Sequence, residues 1–201
     1  SAIALLVVTA VGWVVSLGPV PLDGVKEIST TVVDRNGRLL RAYAMDDGRW
    51  RLPVKASEVD PAYIDVLLAF EDKRFRQHGG VDPLALGRAA WQFATHGRIV
   101  SGGSTITMQT ARLLEPRPRN IGSKIIESIR AWQLERRYTK NEILDLYLTL
   151  APYGGNLEGV RAASWAYFGR EPDSLSPDQI AMLIALPQSP VARRPALRAR
   201  A

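Results

Sequence analysis

The segment from Pro61 to Phe75 constrains the fold most, because its apolar residues recur at the spacing of one helical face. Four apolar residues share that face: Ile64, Leu67, Leu68 and Phe75. Glu71 continues the stripe, and a carboxylate that points into a hydrophobic cleft is costly unless it is paired or used in chemistry. The pattern leaves two interpretations. Glu71 is a general base in a cleft, or it lies at the edge of the stripe and pairs with Lys73 or Arg74.

Local signals downstream of Pro61 predict a mainly helical domain. Thr139 and Ser176 each begin a capping box, with Glu or Gln three residues later. Asp82 followed by Pro83 predicts another helix start, because Asp caps the first turn and proline suits the first helical position. The predicted helices cover residues 61–75, 84–95, 105–114, 122–138, 143–150 and 180–186, with a polar, glycine-rich loop at 96–103.

The N-terminal part has a different character. Residues 27–53 alternate in the manner of strands, and Asn36-Gly37 predicts a type I′ hairpin turn. Residues 2–18 carry no charge, although this apolar stretch is slightly shorter than the ~20 residues that span a bilayer. We expect an uncleaved transmembrane anchor whose beginning has been trimmed and which ends before Pro19. A cleaved signal peptide and a buried core helix are the alternatives.

The chain is basic, with a net charge of +6, which suits a nucleic acid, an anionic membrane surface or an anionic substrate as partner. Its basic residues are not interleaved with aromatic residues and no nucleic-acid motif is present, so we expect no nucleic-acid partner. The absence of cysteine excludes disulfide and thiol chemistry, and 2 histidines are too few for a histidine-based zinc site.

Four motifs carry the most specific signal. They are EDKRFRQHGGVD at 71–82, GGSTITMQ at 102–109, KIIE at 124–127 and KNEILDLYL at 140–148. Their order and spacing, over roughly residues 60–190, resemble the family 51 glycosyltransferases, the peptidoglycan polymerases that form the N-terminal domain of class A penicillin-binding proteins. Met108, together with residues 151–155 and 185–188, is most similar to the 1C branch of those proteins.

The resemblance implies a mainly α, lysozyme-like helical domain with a small membrane-proximal lobe, and an enzyme that polymerises lipid II into β-1,4-linked glycan strands. The 4-hydroxyl of an incoming GlcNAc attacks the anomeric carbon of the chain-end MurNAc with inversion, and undecaprenyl pyrophosphate leaves. This displacement needs a base on the hydroxyl and positive charge or a metal on the leaving group. Family members often use a divalent cation, Mg or Mn, and no organic cofactor is expected.

The resemblance also implies site residues, with Glu71 as the base and Glu127 as the second carboxylate. The implied substrate-binding residues are Asp72, Phe75, His78, Gly103, Ser104, Thr105, Gln109, Arg112, Arg119 and Lys124. The backbone amides before the helix at 105 suit an anion such as pyrophosphate.

Simpler interpretations of several of these residues stay open. A plain N-cap at Ser104 or Thr105 explains the second motif, and Lys124 and Glu127 form an i,i+3 ion pair in a purely structural interpretation. Asp72 orients its neighbours in one interpretation and is a capping or ion-paired surface residue in the other.

We expect an anchor at 1–18, a linker with the hairpin at 19–56, the glycosyltransferase domain at 57–192 and the start of a further linker at 193–201. The motifs of a transpeptidase domain and the family's fifth, arginine-bearing motif are not recognisable, so the chain is interpreted as a truncated module. Expected partners are lipid II, the growing glycan chain and the cytoplasmic membrane, with cell-wall synthesis proteins as further candidates. The expected location is the bacterial inner membrane, single-pass, with the catalytic domain on the periplasmic side.

Two other functions compete with polymerisation. A lysozyme-like hydrolase or lytic transglycosylase would use one acidic glutamate, but it has no need of a pyrophosphate cradle containing Arg112, Arg119 and Lys124. An inactive membrane-anchored scaffold for cell-wall assembly predicts the loss of Glu71 or Glu127, and both are present.

Overall fold

The computed structural model describes residues 2–97 and 103–187 of the chain. The apolar N-terminal stretch forms α1 (Ala2–Ser16), a helix of 15 residues whose large apolar side chains are mostly exposed. Within the described ranges, no helix combines the length and the apolar character that crossing a membrane requires. A helix is therefore present where the sequence predicted one, but the predicted transmembrane span is not found among these residues.

A short helix leads into an antiparallel hairpin, and the elements are α2 (Asp23–Lys26), β1 (Thr31–Val33) and β2 (Leu39–Ala42). The predicted hairpin is confirmed, but the type I′ turn is wrong, because that turn requires positive φ at both central residues. Gly37 has a φ of +78°, whereas no non-glycine residue of the described chain has a positive φ. The amides of Asn36 and Arg38 donate to the Asp34 carboxylate at 2.8 and 2.9 Å. These bonds favour a three-residue loop that ends in a left-handed glycine.

The described chain beyond the hairpin is mainly helical, as predicted. After a 3₁₀ turn at Ala56–Glu58, the helices are α3 (Pro61–Glu71), α4 (Pro83–His96), α5 (Ile106–Leu114), α6 (Ile121–Glu135), α7 (Lys140–Leu150), α8 (Val160–Phe168) and α9 (Pro177–Ala185). Both predicted capping boxes are confirmed, since Thr139 and Ser176 cap α7 and α9. Asp82 accepts a hydrogen bond from the Ala85 amide at 3.0 Å at the start of α4. The sequence did not predict α8.

Two predicted helix ends are wrong. α3 ends at Glu71 rather than at Phe75, because Asp72 leaves the helical region with a φ of −158° and turns its carboxylate towards the start of α5. α6 ends at Glu135 rather than at 138. Most of the predicted loop at 96–103, including Gly102 of the second motif, lies outside the described residues.

The core is built around α7. Six of its residues are buried: Ile143, Leu144, Tyr147, Leu148, Thr149 and Leu150. A helix with an apolar surface on most sides belongs in the interior of a domain. α5 packs between α6 and α7, and α3 packs on α9. α5 therefore touches the helices that carry the third and fourth motifs.

A short parallel pair ties the N-terminal lobe to the helical domain, and its strands are β3 (Trp50–Arg51) and β4 (Leu157–Glu158). The guanidinium of Arg51 is buried and donates to the Glu158 carboxylate at 2.7 Å and to the Glu27 carbonyl oxygen at 2.9 Å. Through Arg51, these bonds fasten the N-terminal lobe to β4 of the helical domain.

The end of α1 is fastened to α6 through buried Arg130. Its guanidinium donates to the carbonyl oxygens of Leu17 and Gly18 at 2.9 and 2.7 Å, and to Glu115 at 2.8 Å. Burial raises the pKa of the Glu115 carboxyl, but hydrogen bonds from Arg130 and Arg117 outweigh burial, so the pKa lies below its usual value. This contact fixes where α1 leaves the domain.

Candidate active site

Glu71 is the last residue of α3 and is half-buried. Gln109, from the middle of α5, donates its side-chain amide to the Glu71 carboxylate at 2.9 Å. If Glu71 lay at the edge of the apolar stripe, Arg74 was one of its two expected ion-pair partners, but Arg74 pairs with Asp82. The end of α3 thus holds a carboxylate oriented by a neutral donor from a different helix.

Buried tyrosines lie close to Glu71. Burial, and then the negative charge of Glu71, raises the pKa of the Tyr147 phenol well above its usual value. The hydroxyls of Tyr63 and Tyr153 lie 2.7 Å apart and are fully buried. Burial raises the pKa of all three phenols, so they stay neutral and add no charge to the surroundings of Glu71.

Asp72 and His78, which were predicted to bind substrate, form a buried hydrogen-bonded pair at the C-terminal end of α3. His78 Nε2 lies 3.0 Å from both carboxylate oxygens of Asp72, and one of these oxygens accepts the Ile106 amide at 2.9 Å. Phe75 is 1% exposed, and the Lys140 ammonium lies 4.5 Å from its ring centroid. These side chains hold the first motif against α5, and we assign them a positioning role rather than substrate contact.

The second motif acts partly as a helix cap. Thr105 is the N-cap of α5, because its hydroxyl oxygen accepts the Met108 amide at 3.1 Å. The same hydroxyl donates to the Gly80 carbonyl oxygen at 2.5 Å. The plain N-cap interpretation therefore holds for Thr105. Ser104 differs, since it is half-buried and hydrogen-bonds the Lys124 ammonium.

Gly103 lies close to α4. A Cβ atom at this position would lie 2.9 Å from the end of the Leu86 side chain on α4. The segment before α5 therefore packs directly against α4. The amides of Ile106 and Met108 at the start of α5 already donate to Asp72 and to Thr105.

Glu127 is the second carboxylate, and it is 7% exposed on the inner face of α6. Lys124 Nζ lies 3.4 Å from one of its oxygens, and Arg112 Nη1 lies 3.8 Å from the other. The i,i+3 pair of Lys124 and Glu127 is therefore present, but it belongs to a larger cluster that includes Ser104 and Arg112. Arg112 comes from α5, one turn after Gln109.

A basic pocket of about 390 Å³ opens beside this cluster. Gln109, Arg112 and Tyr147 line it, together with predicted Arg119 and four residues that sequence reasoning missed: Arg49, Arg51, Arg117 and Glu158. Five arginines and one glutamate thus surround the pocket. Arg49 and Arg51 come from the N-terminal lobe, so no local motif could have pointed to them.

The structure brings the predicted residues together in three groups. Glu71 and Gln109 form the first, Glu127 with Lys124, Ser104 and Arg112 forms the second, and the third place is the lining of the basic pocket, to which exposed Arg119 belongs. Among the described residues, no group of three or more His, Asp or Glu side chains is arranged to hold a metal ion. Mg²⁺ is commonly held by one or two carboxylates together with substrate phosphates, so the expected divalent cation stays a prediction.

A comparison with protein-family models assigns a family to this mainly helical fold with its two carboxylates, Glu71 and Glu127. The family model described as Transglycosylase matches residues 36–201, so the chain belongs to the transglycosylase family. The chain is 50% identical to penicillin-binding protein 1C of Escherichia coli (strain K12), over 89% of this chain and 23% of that protein. This similarity confirms the resemblance to class A penicillin-binding proteins of the 1C branch.

More distant relatives give the same family. Identity is 38% to penicillin-binding protein 1A of Aquifex aeolicus, over 83% of this chain and 23% of that protein. It is 34% to penicillin-binding protein 1F of Bacillus subtilis, over 97% of this chain and 28% of that protein. The chain spans about a quarter of the length of these relatives.

Proposed function

We propose that the chain is a peptidoglycan glycosyltransferase domain with a lysozyme-like fold, which polymerises lipid II and releases undecaprenyl pyrophosphate. The observation that carries the proposal is the arrangement of α5. From one helix, Gln109 contacts Glu71 and Arg112 approaches Glu127, at the rim of a pocket lined by five arginines. Arginines outnumber carboxylates five to one in its lining, and a hydrolase that protonates a neutral leaving group has no need of that excess.

In the proposed reaction, Glu71 accepts the proton of the attacking 4-hydroxyl group. The hydroxyl oxygen forms the new bond to the anomeric carbon while the bond from that carbon to the pyrophosphate oxygen breaks. Gln109 orients the carboxylate, because its side-chain amide donates to one of the two carboxylate oxygens of Glu71. A base fixed in this way typically contributes ~10²–10⁴-fold in rate.

The leaving group is proposed to lie near Lys124 and Arg112. Charge builds on the pyrophosphate as the bond breaks, and cations fixed beforehand stabilise that charge without further reorganisation. Glu127 keeps the two cations in place, because its buried carboxylate lies within 4 Å of both. Glu127 therefore acts on the leaving group through its neighbours, while Arg119 and the other pocket arginines extend the positive surface.

We place the domain at the bacterial cytoplasmic membrane, facing the periplasm, with α1 and exposed apolar residues against the lipid. Large apolar side chains are exposed on α1, α3 and α4, including Phe70 at 67% and Trp91 at 72%. Exposed apolar surface of this extent is typical of contact with a membrane or a partner. Lipid II is itself a membrane lipid, so an enzyme held at the surface meets it at high local concentration.

The test is polymerisation of lipid II in detergent by wild type, Glu71→Gln and Asp65→Asn, with products separated on a gel. The glutamine can still accept the Gln109 amide, so we expect Glu71→Gln to keep its thermal stability and to lose at least ~10²-fold in rate. Asp65 is exposed on the same helix, and its substitution should change neither quantity. A Glu71→Gln variant that polymerises at the wild-type rate would exclude Glu71 as the base.

A further inference from the structure

A second large cavity lies away from the candidate active site. It is a groove of about 760 Å³ between α1 and the C-terminal end of α6, within the size range of small-molecule sites. One wall carries Val11, Val14 and Val15 of α1, and the other carries Trp132 of α6. Both walls are apolar, so the groove suits a hydrocarbon chain.

One end of the groove is closed by hydrogen bonds between α6 and the residues that follow α1. Arg130 and Gln133 on α6 both donate to the Gly18 carbonyl oxygen, at 2.7 and 3.2 Å. Arg130 also holds the Leu17 carbonyl oxygen and the Glu115 carboxylate. Because α1 is hydrogen-bonded to the catalytic domain at its end, the space between the helices does not depend on a loose linker.

The polar side of the groove is cationic. Arg136 and Arg137 line it, and the Arg136 guanidinium lies 4.8 Å from the ring centroid of Trp132. Neither arginine has a carboxylate within ion-pair distance among the described residues, and both are exposed. Two uncompensated positive charges next to an apolar channel match the two parts of an anionic lipid.

We propose that the groove binds one anionic phospholipid of the membrane. Its phosphate lies between Arg136 and Arg137, and one acyl chain runs along the valines of α1 against Trp132. Trp132 is 48% exposed, which suits an indole ring at the boundary between head groups and hydrocarbon. The proposal rests on the membrane position given under the proposed function, but it does not depend on the reaction.

The lipid-linked substrate is the other anionic lipid to consider. Its pyrophosphate is proposed to bind at Lys124 and Arg112, whereas the groove offers its two arginines on the side of α6 that faces α1. Both places offer two cations, so position distinguishes the two lipids. The groove lies between α1 and α6, whereas the pyrophosphate cations Lys124 and Arg112 lie beside Glu127. Position therefore favours a phospholipid over the substrate.

The experiment measures lipid retention by native mass spectrometry. The full chain in detergent is incubated with equal amounts of phosphatidylglycerol and phosphatidylcholine, and the bound lipid is counted. The double variant Arg136→Gln/Arg137→Gln is compared with Arg35→Gln/Arg38→Gln, which removes the same charge from the exposed hairpin loop. A basic residue near a lipid surface contributes roughly a fivefold gain in binding, so the first variant should lose about 25-fold in phosphatidylglycerol retention.

The control variant should retain phosphatidylglycerol as wild type does. A third variant, Val14→Ser, should weaken retention of both lipids, because it changes the apolar wall and not the charge. Equal retention of the two lipids by wild type, equal losses in the two double variants, or displacement of phosphatidylglycerol by undecaprenyl pyrophosphate would each overturn the proposal. Polymerisation of lipid II in detergent is measured on the same samples, so failure of the lipid site and failure of the enzyme give different results.

Discussion

Gly80 allows the first motif to contact α6, and replacing it with alanine should destabilise the domain. Its φ is +94°, and a Cβ atom would lie 2.8 Å from the carbonyl carbon and oxygen of Ala131. Both neighbours are backbone atoms within α6, so they cannot move aside as a side-chain end would. The Gly80 carbonyl oxygen also accepts the Thr105 hydroxyl, so any displacement reaches the start of α5.

The expected loss in the free energy of unfolding has two parts. An alanine in a left-handed conformation costs about 1–2 kcal/mol, and inserting a methyl group into a packed contact costs about 1–3 kcal/mol. Their sum is about 3.5 kcal/mol at mid-range, a large part of the stability of a domain. For a chain of this size, that loss corresponds to a fall in Tm of roughly 7–14 °C.

The neighbouring glycine supplies the control. A Cβ atom at Gly79 would meet no other atom within 4 Å, and Gly79 does not have positive φ. Gly79→Ala should therefore stay within ~0.5 kcal/mol of wild type. Urea denaturation followed by circular dichroism compares the two variants. The reasoning fails if Gly80→Ala is as stable as wild type, or if both substitutions destabilise equally.

Three further outcomes are expected. Lys124→Ala should weaken competitive inhibition by inorganic pyrophosphate about tenfold, from the loss of one charged hydrogen bond, whereas exposed Arg170→Ala should not; equal effects would remove Lys124 from the anion site. Tyr153→Phe leaves the buried Tyr63 hydroxyl without its 2.7 Å partner and should lower the free energy of unfolding by ~1–3 kcal/mol. The double variant Tyr63→Phe/Tyr153→Phe should lose less than the two single variants added together. Strictly additive losses in urea denaturation would argue against a hydrogen bond between the two hydroxyls. The pKa of Glu115 is lowered on folding, so its contribution to stability is present above pH 4.5 and is lost as pH falls through the lower, folded-state value. Glu115→Gln should therefore reduce the fall in Tm that thermal melts show at acid pH. An unchanged fall in Tm would assign the acid sensitivity to other groups.

Signals within a few residues predicted the helical framework well. The capping boxes at Thr139 and Ser176 work because a side chain and a backbone amide three residues apart decide where the helix begins. The α5 cap at Thr105 and the helical periodicity before Glu71 are equally local. The hairpin was predicted for the same reason, although its turn depends on Gly37 alone rather than on Asn36 and Gly37 together.

Contacts between distant segments could not be predicted in this way. Arg51 meets Glu158 across 107 residues, and Tyr63 meets Tyr153 across 90. Neither periodicity nor a motif predicts such pairs. Four residues of the basic pocket were therefore not predicted from the sequence: Arg49, Arg51, Arg117 and Glu158. Phe75 shows the converse, because its place in a motif suggested substrate contact whereas its position beneath Lys140 shows packing.

α5 contacts both Glu71 and Glu127, so the two parts of the site cannot change independently as the sequence evolves. Gln109 and Arg112 are three residues apart, which corresponds to about 4.5 Å along a helix. A short, buried helix moves as one body, so a substitution that slides it alters the surroundings of Glu71 and Glu127 together. Mutations that adapt one half of the site to a new sugar would disturb the other half. Variation in substrate preference is therefore easier to achieve from the surrounding loops and the N-terminal lobe than from α5 itself.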